Sequence, residues 1–217
     1  MITSPIAAVL FGRPGSGKGT LASILAQDAY GAHLSMGEEM RRWSTGESPE
    51  QRALASDLAL GKYGSDDLAA TIAARFLHRV PVTTRFVILD GFPRNLAQFE
   101  AWREMGIRSL AILVDASEDV CRARLARRVT CPRCGVPDKW PASICTACGE
   151  ILVHRTDDGE TATMDRRFAT YDRVVVPVIS RWQETGLPLH VIDMNKDRSA
   201  EYLRAKARQI FLSGKIT

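Results

Sequence analysis

The stretch Gly12-Arg13-Pro14-Gly15-Ser16-Gly17-Lys18-Gly19-Thr20 decides the fold. The apolar run Ala7-Ala8-Val9-Leu10-Phe11 precedes it, and Leu21-Ala22-Ser23-Ile24-Leu25, with helical apolar spacing, follows it. Strand, glycine loop and helix N-terminus in that order form the context a phosphate-binding loop requires. Glycines let backbone N–H groups turn inward around phosphate oxygens, and the helix dipole adds positive potential at the same place. Lys18 supplies a movable cation for the outer phosphates, and Thr20 places a hydroxyl within reach of magnesium. The reading predicts that a nucleoside triphosphate is cradled by Gly15, Ser16, Gly17, Lys18, Gly19 and Thr20.

Outward from this loop, further short apolar runs recur at Phe86–Leu89, Leu110–Val114 and Leu189–Ile192, separated by helical stretches. Such runs suit strands buried on both faces, so an α/β fold with a doubly wound parallel sheet is expected. Ligands then bind beyond the C-terminal strand ends. Two regions break the pattern. Residues 35–64 are polar and helical, and residues 127–158 hold four cysteines among prolines and glycines with little apolar periodicity. Both read as inserts into a single core spanning 1–217.

The chain has 217 residues, 45% hydrophobic and 25% charged, with 29 basic against 25 acidic side chains. A formal charge of +4 is too mild to argue for nucleic acid, and phosphate-binding arginines account for it. No apolar run approaches the roughly 20 residues of a membrane-spanning helix, and the start lacks a basic-then-apolar signal pattern. Cytosol is the default expectation. In that reducing setting clustered cysteines read as metal ligands before disulfides.

Asp90 ends the run Phe86–Leu89 and is followed by Gly91-Phe92-Pro93-Arg94. A carboxylate there can hold magnesium through water, or cap the turn. Arg94 starts the next helix, where its guanidinium can meet a phosphate, and Gln98, on the same face, carries the donor and acceptor that suit a base edge. Arg122, Arg124, Arg127 and Arg128 are expected on one further helix, with Arg124 and Arg128 stacked four apart and Cys121 facing the core. Arg155, Arg166 and Arg167 add guanidiniums. Convergent arginines are what phosphoryl transfer between two nucleotides needs, because its catalysis is mainly positioning and charge neutralisation. Cys131-Pro132-Arg133-Cys134 and Cys145-Thr146-Ala147-Cys148 are two C-x-x-C knuckles able to give one zinc four thiolates, a closed and therefore structural site. Two disulfides are the competing reading.

Assembled, these residues resemble the adenylate kinase family in the form whose lid carries zinc. The resemblance rests on Gly12–Thr20, on His33–Arg41, on Asp90–Arg94 with Gln98, on Arg124–Arg128 leading to Cys131, and on Arg155-Thr156-Asp157-Asp158. It implies that Lys18 bridges the transferring phosphoryl group and that Arg41 and Arg94 hold the acceptor phosphate. It further implies that Gln98 reads the acceptor base and that Arg124, Arg128, Arg155 and Arg167 close over the phosphates. Met36 and Gly91 would line the acceptor side, Gly61-Lys62-Tyr63-Gly64 would offer backbone to the acceptor base, and Lys196 would sit near the donor adenine through its main chain. Arg167 is chosen by counting back from Tyr171 and Pro177, whereas counting forward from Arg155 selects Arg166. The segment 35–64 would be the acceptor-binding insert and 127–158 the lid.

Met36 stands where the family usually has Thr, Leu21 where Gln is common and Glu38 where Asp is. Loss of a polar contact at position 36 predicts a looser acceptor choice. Trp140 either stacks on the donor adenine or fills the zinc knot. The leading expectation is a monomeric, cytoplasmic, magnesium-dependent kinase that converts ATP and AMP to two ADP, with no nucleic-acid or membrane partner. Alternatives are UMP, CMP or GMP as acceptor, a nucleic-acid-binding module attached to a nucleotide switch, and a degenerate binding scaffold.

Overall fold

The computed structural model describes residues 5–28, 31–134, 137–139, 141–155, 158 and 160–212. Along the chain run β1 (Ile6–Phe11), α1 (Lys18–Asp28), β2 (Gly31–Ser35), α2 (Met36–Trp43), α3 (Pro49–Ala59) and α4 (Asp66–Arg79). Next come β3 (Phe86–Asp90), α5 (Leu96–Glu104), β4 (Ser109–Asp115), α6 (Glu118–Ala126), β5 (Arg128–Thr130), β6 (Pro137–Lys139) and β7 (Val153–His154). The chain closes with α7 (Thr161–Thr170), a π-helical turn (Tyr171–Val175), α8 (Val176–Glu184), β8 (Leu189–Asp193) and α9 (Ala200–Leu212).

The central sheet has five strands in the order β2-β3-β1-β4-β8, every pair parallel. Its apolar runs are continuous because both faces are covered, and the two-residue period of a strand sorts them. Ala7, Val9, Phe11, Val87, Leu89 and Ala111 join a core cluster with Phe99 of α5 and Val178 and Trp182 of α8. The alternate positions Ala8, Leu10, Ile88, Leu110, Ile112 and Val114 join a second cluster with Leu21 and Leu25 of α1, Cys121 and Leu125 of α6, and Leu203 of α9. Trp182 is fully buried, with Phe11 edge-on at 5.7 Å and Phe99 at 5.5 Å, and its indole N–H donates to the Pro188 carbonyl. The expected strands are therefore present, each extended by a residue or two. The edge strand β2, Gly31-Ala32-His33-Leu34-Ser35, has no apolar run of its own, and Leu34 is its one buried residue.

Helix starts follow local chemistry. The side chains of Ser48, Ser65, Asn95 and Ser117 each accept a backbone N–H as N-caps, and Ser48 with Gln51 completes a capping box. Met40 of α2 and Leu54 of α3 pack with Ala69 and Ala73 of α4, which fixes this helical excursion to the core. The π-helical turn falls immediately before Pro177, whose missing N–H and ring bulk disturb the regular helical ladder.

One boundary differs from the sequence expectation. The basic helix α6 stops at Ala126 with Arg127 as its C-cap, so Arg128 lies on strand β5 and does not stack on Arg124 along a helix. The chain turns outward there because β5 is the middle strand of a separate antiparallel sheet, β6-β5-β7. Arg122 is taken up structurally, bonded to Glu118 and to Asp165 of α7 while lying over the Phe168 ring.

Candidate active site

All parallel strands end on the same side, and the loops leaving them there enclose a cavity of about 420 Å³. One wall is the β1–α1 loop, through Gly15, Gly17, Lys18, Gly19 and Thr20. Its path demands glycine: Gly15 has φ +82°, and a Cβ there would meet the Cys121 carbonyl oxygen at 2.5 Å. Lys18 folds over the loop, its ammonium donating to the carbonyls of Gly12 at 2.6 Å and Arg13 at 3.0 Å. Burial lowers the Lys18 pKa, and the Asp90 carboxylate works in the opposite direction. Ser16 is fully buried and lies behind the cavity surface.

The remaining walls bring cations from distant parts of the chain. Arg41 comes from α2 beside Ser35, Gly37 and Glu38, and Asp90 and Arg94 come from the end of β3 and the turn after it. Arg124 comes from α6, Arg128 from β5, Arg155 from the end of the small sheet and Arg167 from α7, with Thr130 and Asp138 between them. Arg167, and not Arg166, faces the cavity. Arg166 donates instead to the Leu60 carbonyl at 3.0 Å and to Thr163 at 2.9 Å. Arg124 donates to the Met194 carbonyl at 2.8 Å and to Asp197 at 3.0 Å, joining the phosphate-loop wall to the loop after β8.

Asp158 organises the arginines. Its side chain is 3% exposed, and the Arg128 guanidinium grips it through two hydrogen bonds of 2.7 Å. Arg167 donates to the same carboxylate, and Arg155 stands 3.9 Å away. Burial, with repulsion from Arg155 next, pushes the Arg128 pKa down to about 10, a sign of how much positive charge is crowded here. The sequence shows Asp158 only as part of a segment; its service to three arginines is a tertiary fact with no local signal.

Several expected residues lie elsewhere. Met36 is fully buried among Leu34, Met40 and the α4 alanines, so its thioether is core and does not line the cavity. Gln98 is buried behind the Arg94 turn: its Oε1 accepts the Arg94 N–H at 2.8 Å and its Nε2 donates to Asp66 at 2.7 Å. Each of its polar atoms keeps one further hydrogen-bonding position. Lys62 pairs with Asp57 at 2.9 Å, and Gly64 packs against Met40 and Leu54. Gly91 lies under the Arg94 guanidinium, and Lys196 is exposed on the loop after β8. None of these lines the cavity as described. Trp140 lies outside the described residues.

At the small sheet, the sulfurs of Cys131, Cys134, Cys145 and Cys148 lie within 4.8 Å of one another. The closest pairs are 3.4, 3.5 and 3.6 Å apart, and none of the four is in a disulfide. Zinc–thiolate bonds of about 2.3 Å require a sulfur tetrahedron with edges of roughly 3.8 Å, so the donor set fits one zinc. Val129, Cys131, Cys145 and Leu152 are the only buried residues of this region's apolar cluster among those described, too few to fix the sheet unaided. Asp90 and Thr20 likewise offer hard oxygens at the cavity, the ligand type magnesium takes.

The family model described as adenylate kinase matches residues 10–187. The chain is 32% identical over 204 residues to the adenylate kinase of Mycoplasmoides gallisepticum, covering 88% of this chain and 92% of that protein. Against the adenylate kinase of Thermosipho melanesiensis the identity is 32% over 202 residues, covering 87% and 92%. Against that of Moorella thermoacetica it is 32% over 191 residues, covering 82% and 87%.

Two outcomes follow from this geometry. Met36→Thr puts a hydroxyl into the core and removes volume, so it should lower stability by about 1–3 kcal/mol while leaving relative activity toward different monophosphates unchanged. Denaturant unfolding and kcat/KM for AMP against GMP check this; altered selectivity with unchanged stability would return residue 36 to the pocket. Metal analysis should find one zinc per chain, and Cys134→Ser should lose it, melt earlier and turn over more slowly while retaining part of its ATP binding. A metal-free parent would overturn the zinc assignment.

Proposed function

This chain belongs to the adenylate kinase family, and we propose that it transfers the terminal phosphoryl group of ATP to a nucleoside monophosphate, AMP foremost, giving two ADP. The observation that carries the reading is the convergence of Lys18, Arg41, Arg94, Arg124, Arg128, Arg155 and Arg167 on one cavity. A donor triphosphate and an acceptor monophosphate bring several negative charges together, and the cavity is charged to receive them.

The chemistry asks little of acids and bases. The attacking acceptor phosphate is already anionic near neutral pH, since the second ionisation of such a phosphate lies near ~6. No histidine lines the cavity among the described residues. What the transfer needs is alignment of nucleophile and leaving group, exclusion of water and neutralisation of charge on the moving phosphoryl group. In this reading Lys18 releases the Gly12 and Arg13 carbonyls and follows the phosphoryl group. Arg41 and Arg94 hold the acceptor phosphate. Arg128, Arg155 and Arg167 neutralise the oxygens between donor and acceptor, and Arg124 borders the donor side. Magnesium held by Asp90, through water, and by Thr20 would supply further charge neutralisation at the donor phosphates. Residues 35–64 serve as the acceptor-binding insert and 127–158 as a lid that zinc, held by the four cysteines, keeps in shape.

Burial of Met36 removes the residue-level support for an acceptor other than AMP. Gln98 can contribute to base recognition through its remaining hydrogen-bonding positions. The reading also makes the chain a cytoplasmic monomer that acts on small nucleotides, without nucleic-acid or membrane partners. No described helix is long and apolar enough to cross a membrane.

A coupled assay with ATP and AMP, GMP, CMP or UMP in parallel should give its highest kcat/KM with AMP. Lys18→Ala should lower the magnesium-dependent rate by ~10² or more, as loss of a preorganised charge does elsewhere. Comparable rates in Lys18→Ala and parent would sink the mechanism.

A further inference from the structure

The arginines of the cavity are held in two different ways. Arg128 and Arg167 bond Asp158, which occupies N–H groups that a phosphate would otherwise use. Arg94 has no such carboxylate partner among the described residues. Its guanidinium carbon lies 4.4 Å from the centroid of the Tyr63 ring. Gly91, at φ +84°, also lies against this guanidinium, since a Cβ there would come within 2.8 Å of an Arg94 nitrogen. An aromatic face and a bare α-carbon thus both border the guanidinium.

This arrangement has a chemical consequence. A guanidinium carries its N–H donors in its plane, and a ring engages it from the face. A contact over the ring face therefore holds Arg94 in place without using an acceptor, and its N–H donors stay available for bidentate contact with phosphate. A carboxylate partner would have competed for those donors.

The Tyr63 segment and the Arg94 turn are both anchored. Ser65, two residues after Tyr63, caps α4, and the Lys62 N–H donates to the Asp57 carbonyl at 2.9 Å. Asp66 accepts from the Asn95 amide at 2.8 and 3.0 Å and from Gln98 at 2.7 Å, while Gln98 accepts the backbone N–H of Arg94. The segment 63–66 thus clasps the Arg94 turn twice, by ring on guanidinium and by carboxylate on amides.

We propose that Tyr63 is a positioning residue for the acceptor phosphate, its ring holding Arg94 in the orientation that receives the monophosphate. The inference rests on the reading of Arg94 as the acceptor-phosphate ligand. Tyr63→Leu and Tyr63→Met both remove the aromatic face, and each should raise the KM for AMP about 5- to 30-fold with the KM for ATP unchanged, the range such stacking spans. Tyr63→Phe keeps the face and should stay within about 2-fold of the parent. In an Arg94→Ala background the Tyr63→Leu change should add little, because the group it positions is gone. If Arg94→Ala raises the AMP KM while neither Tyr63→Leu nor Tyr63→Met does, the inference fails and the Arg94 reading stands. Equal rises in the two KM values, or full additivity with Arg94→Ala, also overturn it. If Arg94→Ala itself leaves the AMP KM unchanged, the underlying reading fails and takes the inference with it.

Discussion

Crowded positive charge at one end of a parallel sheet is the constraint on which the rest of this structure depends. Like charges brought together in a partly buried cavity repel, and at Arg128 burial first, with repulsion from Arg155 next, holds the pKa below its ordinary value. Asp158 offsets part of it from within. Because Arg128 begins the small sheet, Arg155 follows its last strand and Arg167 belongs to α7, one carboxylate ties both stems of the four-cysteine segment to the core. Asp90 plays a comparable part opposite Lys18. The balance left over is positive, and nucleotide phosphates are the anions that complete it.

The sheet makes this assembly possible. Parallel strands covered on both faces deliver every β–α loop to one edge, so residues as far apart as Lys18 and Arg167 meet without a long loop in the core. The phosphate loop is then fixed by close packing, Gly15 sitting against the Cys121 carbonyl of α6. The same helix carries Arg124 across to the loop after β8, so the proposed donor side is built on backbone contacts. The proposed acceptor side is held differently, by α2 and by the Arg94 turn against Tyr63. These two construction modes suit a reaction in which one nucleotide is gripped by backbone and the other by side chains.

How much of this was legible in the sequence depended on range. The phosphate loop, the buried strands and the paired C-x-x-C knuckles are local patterns, and local physics is enough to read them. Edge strand β2 carries little periodicity, and the end of α6 at Ala126 is set by pairing of β5 with β6 and β7. Its place in a motif makes Met36 a pocket residue, whereas core packing of α2 against α4 turns it inward. Gln98 could be placed near Arg94, but its commitment to Asp66, 32 positions away, could not. Asp158 with Arg128 and Tyr63 with Arg94 are likewise contacts between segments, and nothing in their own neighbourhoods announces them.

The central claim is that this single basic cavity holds two nucleotides at once. Calorimetric titration of the intact protein with ADP and magnesium addresses it directly, since ADP is the product on both sides of the proposed transfer. The account predicts saturation at two ADP per chain, falling toward one when Arg94 is replaced by Ala. Saturation of the parent at one ADP per chain, with no second site at high concentration, would contradict it.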